Sequence, residues 1–468
     1  MSNNGATARL RDRRRTTGAL RMRRGRARTR ATALALLLGL VGAGVHAELA
    51  AEPTGRVEVL PARFGAHWVW VSDALFERVS LLDLDTGAFL GQVDGGYGVS
   101  SLEFGRTRRE IYLPAIYYSR GTRGVRTDVV TIYDAHSLAP VDEVVLPPKR
   151  AVNPLPMGNA AVSDDGRFLS VFNMSPATSL SIVDLEARKR VGEVDAPGCG
   201  LVYATGRRRF AMLCADGSLL DLQLDDGGRV LRKRRTERFF DPERDPVTEK
   251  AVRAGDRWIF ASFEGVAHVA DFSGDEVRFD EAWSLFDDDE RAAGWRIGGS
   301  QHLALHAATG RLYSAVHQGG ADTHKEGGSE VWVYDLATHE RVQRIELANT
   351  GLTVMGMSLE FGRDWPWPFD GLYGFLLDHV LPVFPVEYIA VTQDAEPILV
   401  TATSFSGSLG VYDAVRGELL RRVVSGNMTV QGLAPSPFRG DALAADAQAP
   451  PGSAQPARAA AFAMQEER

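Results

Sequence analysis

Leu81-Leu82-Asp83-Leu84-Asp85-Thr86-Gly87 joins an apolar run to an Asp and a turn, with a second apolar run beyond it, and the same phrase recurs along the chain. The other copies are Thr131-Ile132-Tyr133-Asp134, Ser181-Ile182-Val183-Asp184-Leu185, Leu219-Leu220-Asp221-Leu222, His268-Val269-Ala270-Asp271-Phe272, Trp332-Val333-Tyr334-Asp335-Leu336 and Leu409-Gly410-Val411-Tyr412-Asp413. Successive anchor Asp residues are 51, 50, 37, 50, 64 and 78 apart, near the ~40 to 50 residues of a propeller blade. A second strand-like run precedes each phrase, as in His67-Trp68-Val69-Trp70-Val71 and Ile398-Leu399-Val400-Thr401-Ala402. These runs are short, rich in β-branched and aromatic residues, and bounded by turn signals such as Asp164-Asp165-Gly166, as strands should be. Seven phrases predict an all-β, seven-bladed β-propeller.

The 468 residues are therefore expected to form one large domain, because repeats share their cores with their neighbours. Residues 1–47 read differently. Eleven Arg lie in the first 30 positions, an apolar run spans Ala31 to Val45, and Val45-His46-Ala47 closes it. That order describes a secretory signal cleaved near Ala47, and the apolar run is shorter than the roughly 20 residues that a spanning helix needs. A nucleic-acid arm would have no use for that run. Removal of eleven Arg and the single Asp12 takes away ten net positive charges, moving the formal charge from -7 to -17. An acidic surface of that size disfavours nucleic acid and steers cations inward. The expected organisation is a signal at 1–47, a propeller at 48–435 and an Ala/Pro-rich disordered tail at 436–468. An aromatic, Pro-rich insertion at 351–385 interrupts the propeller. It is expected either to pack on the chain's own surface or on a copy of itself, or to dock another protein or a membrane surface.

Cys199 and Cys214 are the only cysteines. In an oxidising compartment they are expected to form a disulfide tying a turn to the next strand; two buried free thiols are the alternative. Two cysteines exclude a covalent haem motif, an iron–sulfur cluster and a Cys-rich zinc site on this chain. His302 and His306 fall in a strand-like stretch, which places both rings on one face about 13 Å apart, too far to share an ion. No nucleophile elbow, zinc-protease helix or phosphate loop is present.

Trp295-Arg296-Ile297-Gly298-Gly299-Ser300-Gln301-His302, the segment from His317 to Lys325, Val391-Thr392-Gln393-Asp394-Ala395-Glu396-Pro397 and Gly124-Val125-Arg126-Thr127-Asp128 resemble the large (heavy) subunit of methylamine and aromatic amine dehydrogenases. The Cys199 to Cys214 spacing resembles it too, and the likeness runs from about Arg63 to Leu433. The resemblance implies a periplasmic propeller assembled as two large and two small subunits. It also implies that the small subunit carries tryptophan tryptophylquinone and the catalytic base, with no catalytic residue on the large one. A primary amine would be oxidised to an aldehyde and ammonia, and the electrons passed to a copper protein of the amicyanin or azurin type. Family members place a Phe after a Gly-Gly pair at the substrate entrance, and Asp94-Gly95-Gly96-Tyr97 puts Tyr97 there, unless Tyr97 is ordinary packing between blades. The alternative from another class is a stand-alone periplasmic propeller used for binding or assembly. A propeller hydrolase would need converging acids or histidines that the sequence does not single out.

Overall fold

The computed structural model describes residues 59–98, 101–151, 157–348, 385–404 and 406–438, with the backbone of 353–354 and 357–358. The predicted signal, the aromatic stretch 359–384 and residues 439–468 lie outside the described residues. Seven antiparallel sheets, each with four strand positions, follow one another. In blade 2 the order from the centre outward is Glu103–Phe104, Glu110–Tyr118, Arg126–Asp134 and Pro140–Leu146. Second and third strands are buried on both faces, as in Phe168–Asn173 of blade 3, because each blade is sandwiched between two others. Outer strands such as Pro140–Leu146 are mostly exposed.

The ring is visible in the cores. Among the described residues seven apolar clusters occur, each shared by one neighbouring pair of blades. Leu169 and Val171 of blade 3 pack with Val130 and Ile132 of blade 2, for example, and Val400 and Val411 of blade 7 with Val69 and Leu82 of blade 1. At about 25 cal/mol per Å² of apolar surface removed from water, these interfaces dominate the stability of a repeat array. The fold is a seven-bladed β-propeller.

The anchor Asp has a mechanical role. Asp134 Oδ1 accepts the N–H groups of His136 and Ser137 at 3.1 and 2.7 Å, and Asp413 Oδ1 those of Val415 and Arg416 at 2.9 and 2.8 Å. Each is an Asx turn that starts the hairpin into the outer strand. In blade 4 the residue in this role is Asp225, whose Oδ1 accepts from Gly227 and Arg229 at 2.8 Å each. Asp221 sits inside the third strand, fully buried, and takes Arg209 Nε at 2.7 Å. The sequence reading chose the wrong Asp because both follow a Leu in an apolar run. With Asp225 in place, the intervals of 37 and 50 become 41 and 46.

Closure uses the end of the chain. Val430–Pro435 pairs with Trp68–Asp73 and is the innermost strand of blade 1. Ordered packing continues past the predicted domain end: Ser436 donates to Trp68 O at 2.9 Å, and Phe438 is buried against Phe64 and Phe104. The insertion begins as a short hairpin, Thr353–Val354 against Met357–Ser358. Cys199 and Cys214 form a disulfide between directly paired positions of adjacent strands, rather than from a turn to a strand. Among the described residues no helix is long and apolar enough to cross a membrane.

Candidate functional site

Inner strands all run the same way, so the loops joining successive blades lie on one face, here called upper, together with the turns between second and third strands. Tyr97 is in the loop from blade 1 to blade 2. Gly95 N–H reaches Glu77 O at 2.7 Å in the upper turn of blade 1, and Tyr97 N–H reaches Ile116 O at 2.7 Å in blade 2. Gly96 has φ of +66°, and a Cβ there would lie 2.9 Å from Ala115 Cβ and from Ile116 O. Only glycine suits this conformation and approach, which pins the aromatic residue that follows. The Tyr97 ring, partly exposed, meets Tyr118 edge-on with centroids 5.1 Å apart.

Under these rings lies a charged knot. Arg126 donates to both carboxylate oxygens of Asp128, Nε to Oδ1 at 2.6 Å and Nη2 to Oδ2 at 2.7 Å, and Nη2 also donates to Arg150 O at 2.7 Å. Arg150 N–H donates to Asp128 Oδ2 at 2.9 Å, and Asp128 is wholly buried. Burial draws the Arg150 guanidinium down to about 10, against the pull of Asp128. The Arg126-Thr127-Asp128 motif therefore carries a structural pair supporting the Tyr118 strand. Around Tyr97 the upper turns of blades 1, 2 and 3 expose Leu75, Phe76, Val125 and Met174. Two carboxylates, Glu77 and Asp94, flank the loop. Partial burial and then repulsion by Asp94 raise the Glu77 carboxyl.

The other motifs resolve into separate jobs. Gly298 and Gly299 break the inner strand of blade 6 into Trp295–Ile297 and Leu303–His306. A Cβ on Gly299, at φ +119°, would lie 2.7 Å from Glu387 O of blade 7. This break turns His302 and His306 apart, contrary to the same-face expectation. His302 Nε2 faces Thr248 Oγ1 of blade 5 at 2.8 Å, whereas His306 Nε2 faces Asp394 O of blade 7 at 2.9 Å. His324 stacks on Phe263 with centroids 3.5 Å apart. Among the described residues no group of three His, Cys, Asp or Glu could hold a metal ion.

The segment Val391 to Pro397 lies at the lower face, where it fastens the ring. His67 of blade 1 meets Asp85 through Nδ1 at 2.9 Å and Asp394 through Nε2 at 3.1 Å. Gln301 of blade 6 reaches over blade 7 to Leu433, accepting its N–H at 2.9 Å and donating to its O at 2.8 Å.

A cavity of about 750 Å³ occupies the centre of the ring. Leu102, Glu103, Val162, Tyr203, Trp258 and Leu433 are among its lining residues. Sequence reasoning missed Glu103, because its inner strand is two residues long and has no readable period.

The model of the methylamine dehydrogenase heavy chain family matches residues 66–358. The chain belongs to that family. It is similar to the methylamine dehydrogenase heavy chain of Paracoccus versutus, at 28% identity over 76% of each chain. The heavy chain of Methylorubrum extorquens is also 28% identical, over 80% of this chain and 83% of its own. That of Methylobacillus flagellatus is 27% identical over 64% and 67%. The match to the heavy chain family ends at Ser358, before the aromatic stretch, and includes Tyr97 and both cysteines.

Proposed function

We propose that this chain is the large subunit of a periplasmic quinone-dependent amine dehydrogenase, one that oxidises a primary amine to an aldehyde and ammonia. Membership of the heavy chain family carries this reading. The cofactor would be tryptophan tryptophylquinone on a small subunit, in an assembly of two large and two small chains. When bound, that group supplies the two-electron oxidation. Both cysteines of this chain are consumed in one disulfide, consistent with a scaffold role and a cofactor housed elsewhere. An amicyanin- or azurin-type copper protein would take the electrons.

The contribution of this chain lies at the upper face. Tyr97, aimed by Gly96 and braced by Tyr118, would line the substrate entrance. Glu77 and Asp94 would attract an ammonium substrate. The exposed apolar turns at Leu75, Val125 and Met174 would receive the small subunit, since patches of this kind mark interfaces.

The test is purification from the native periplasm. A stoichiometric small, Cys-rich chain should co-elute, with a visible absorption that bleaches on adding a primary amine, and the large chain should begin near Glu48. A colourless chain eluting alone would overturn the assignment.

A further inference from the structure

The channel holds a carboxylate that is in no ion pair among the described residues, although a cation, Arg106, lines the same channel. Five charged side chains line it: Glu103, Arg106, Asp164, Glu249 and Arg253. Three of these are already paired. Arg253 grips Asp164 through both guanidinium nitrogens at 2.5 and 2.7 Å, strapping blade 5 to blade 3 across the lower mouth. Glu249 takes Lys250 Nζ at 2.9 Å near the upper end. Glu103 has no ion-pair partner among the described residues. Arg106 of its own turn acts on it from a distance, and its one neutral donor is the N–H of Val162.

Much of the remaining wall is apolar or aromatic, including Leu102, Val162, Val202, Leu433, Tyr203 and Trp258, and Ser72, Ser101 and Gln301 are its neutral polar members. The polar tips of the two aromatic residues are engaged, Tyr203 with Glu249 O and Trp258 with Ala204 O. Inner strands of a propeller also turn an unpaired edge, with both its N–H and its carbonyl groups, toward the axis. A carboxylate among carbonyl acceptors and aromatic rings suits a cation with several N–H donors.

We propose that the central channel binds a small nitrogen cation, ammonium or a primary alkylammonium, with the Glu103 carboxylate as its counter-ion. The site is distinct from the entrance at Tyr97 and does not depend on the amine dehydrogenase reading. Desolvation raises the Glu103 carboxyl to about 8, against the opposing pull of Arg106, so a proton competes with the cation for the carboxylate. Binding near neutral pH must therefore expel that proton.

The experiment is calorimetry on the full chain, with whatever subunit accompanies it. Ammonium, methylammonium, potassium and tetramethylammonium chlorides are titrated in two buffers of different ionisation enthalpy. Ammonium or methylammonium should release close to one proton at pH 7, with affinity rising about tenfold per pH unit up to the folded pKa. Potassium and tetramethylammonium, lacking N–H donors, should bind at least about tenfold more weakly. Glu103→Gln should abolish the proton release and the pH slope while leaving the melting temperature in place. Glu103→Asp, which keeps the charge, should retain the slope at lower affinity. Binding without proton release, equal binding by wild type and Glu103→Gln, or no binding at all would overturn the proposal.

Discussion

Tyr97 differs by one hydroxyl from the Phe that the resemblance places at this point. Its seat is built by backbone: the positive φ of Gly96 and the two hydrogen bonds that tie the loop to blade 1 on one side and blade 2 on the other. Tyr97→Phe should therefore leave turnover close to that of the parent, whereas Tyr97→Ala should raise kcat/KM for bulky aromatic amines relative to methylamine. Steady-state kinetics with the two amines checks this, and an unchanged ratio would remove Tyr97 from the entrance. Asp128 makes the opposite case, with no role in selecting a substrate. Replacing it by Ala removes the carboxylate that holds the Arg126 guanidinium and the buried Arg150 N–H and should lower the unfolding free energy by about 3–5 kcal/mol, read from urea denaturation. The Gly-Gly-Tyr phrase was legible because glycine, turn and aromatic adjoin. The Asp128–Arg150 contact was not, since 22 residues separate partners that only the neighbouring hairpins bring together.

At the level of strands and turns, the Asp repeat was legible because its cause is local: an Asx turn needs only the next two or three N–H groups. It failed at Asp221, whose partner Arg209 lies on the adjacent strand. The disulfide follows the same division, since its existence came from compartment and count while its cross-strand placement came from register. Because Cys199 and Cys214 are paired across one hairpin and 15 residues apart, the bridge closes a short loop. Replacing both by Ser should cost about 3 kcal/mol in the chain-entropy model, and thermal melts in the presence and absence of reductant should reproduce that loss for the wild type alone. The upper turns also offer a test by element. Val125→Asp should leave the fold intact and deplete the small chain from the purified complex, and undiminished co-purification would move the docking surface elsewhere.

For the whole molecule, the number of blades could be counted from the sequence, but how the ring closes could not. His67, Asp394 and Gln301 carry no repeat signal, and the contacts of His67 with Asp394 and of Gln301 with Leu433 form only when blades 6, 7 and 1 are assembled. Burial lowers the His67 pKa, but hydrogen bonds and attraction from Asp85 and Asp394 outweigh it and leave the value raised above 6.5. Arg421, which donates to Leu84 O at 3.1 Å, is the other charge at this seam. A histidine whose pKa rises on folding contributes fully below its unfolded value and loses that contribution as pH rises through the folded one. Melting temperature should therefore fall between about pH 6 and 8 in the parent more than in His67→Gln, and parallel curves would show that the seam does not titrate.

Blade 1 receives its innermost strand from residues 430–435, which has a consequence for biosynthesis. A nascent chain that emerges N-terminus first holds Trp68–Asp73 for most of translation with one edge bare. Neighbouring blades can pair as they appear, yet the circle stays an open arc until residues 430–435 have been made. The polypeptide thus stays an unclosed ring through the synthesis of every strand that precedes this one.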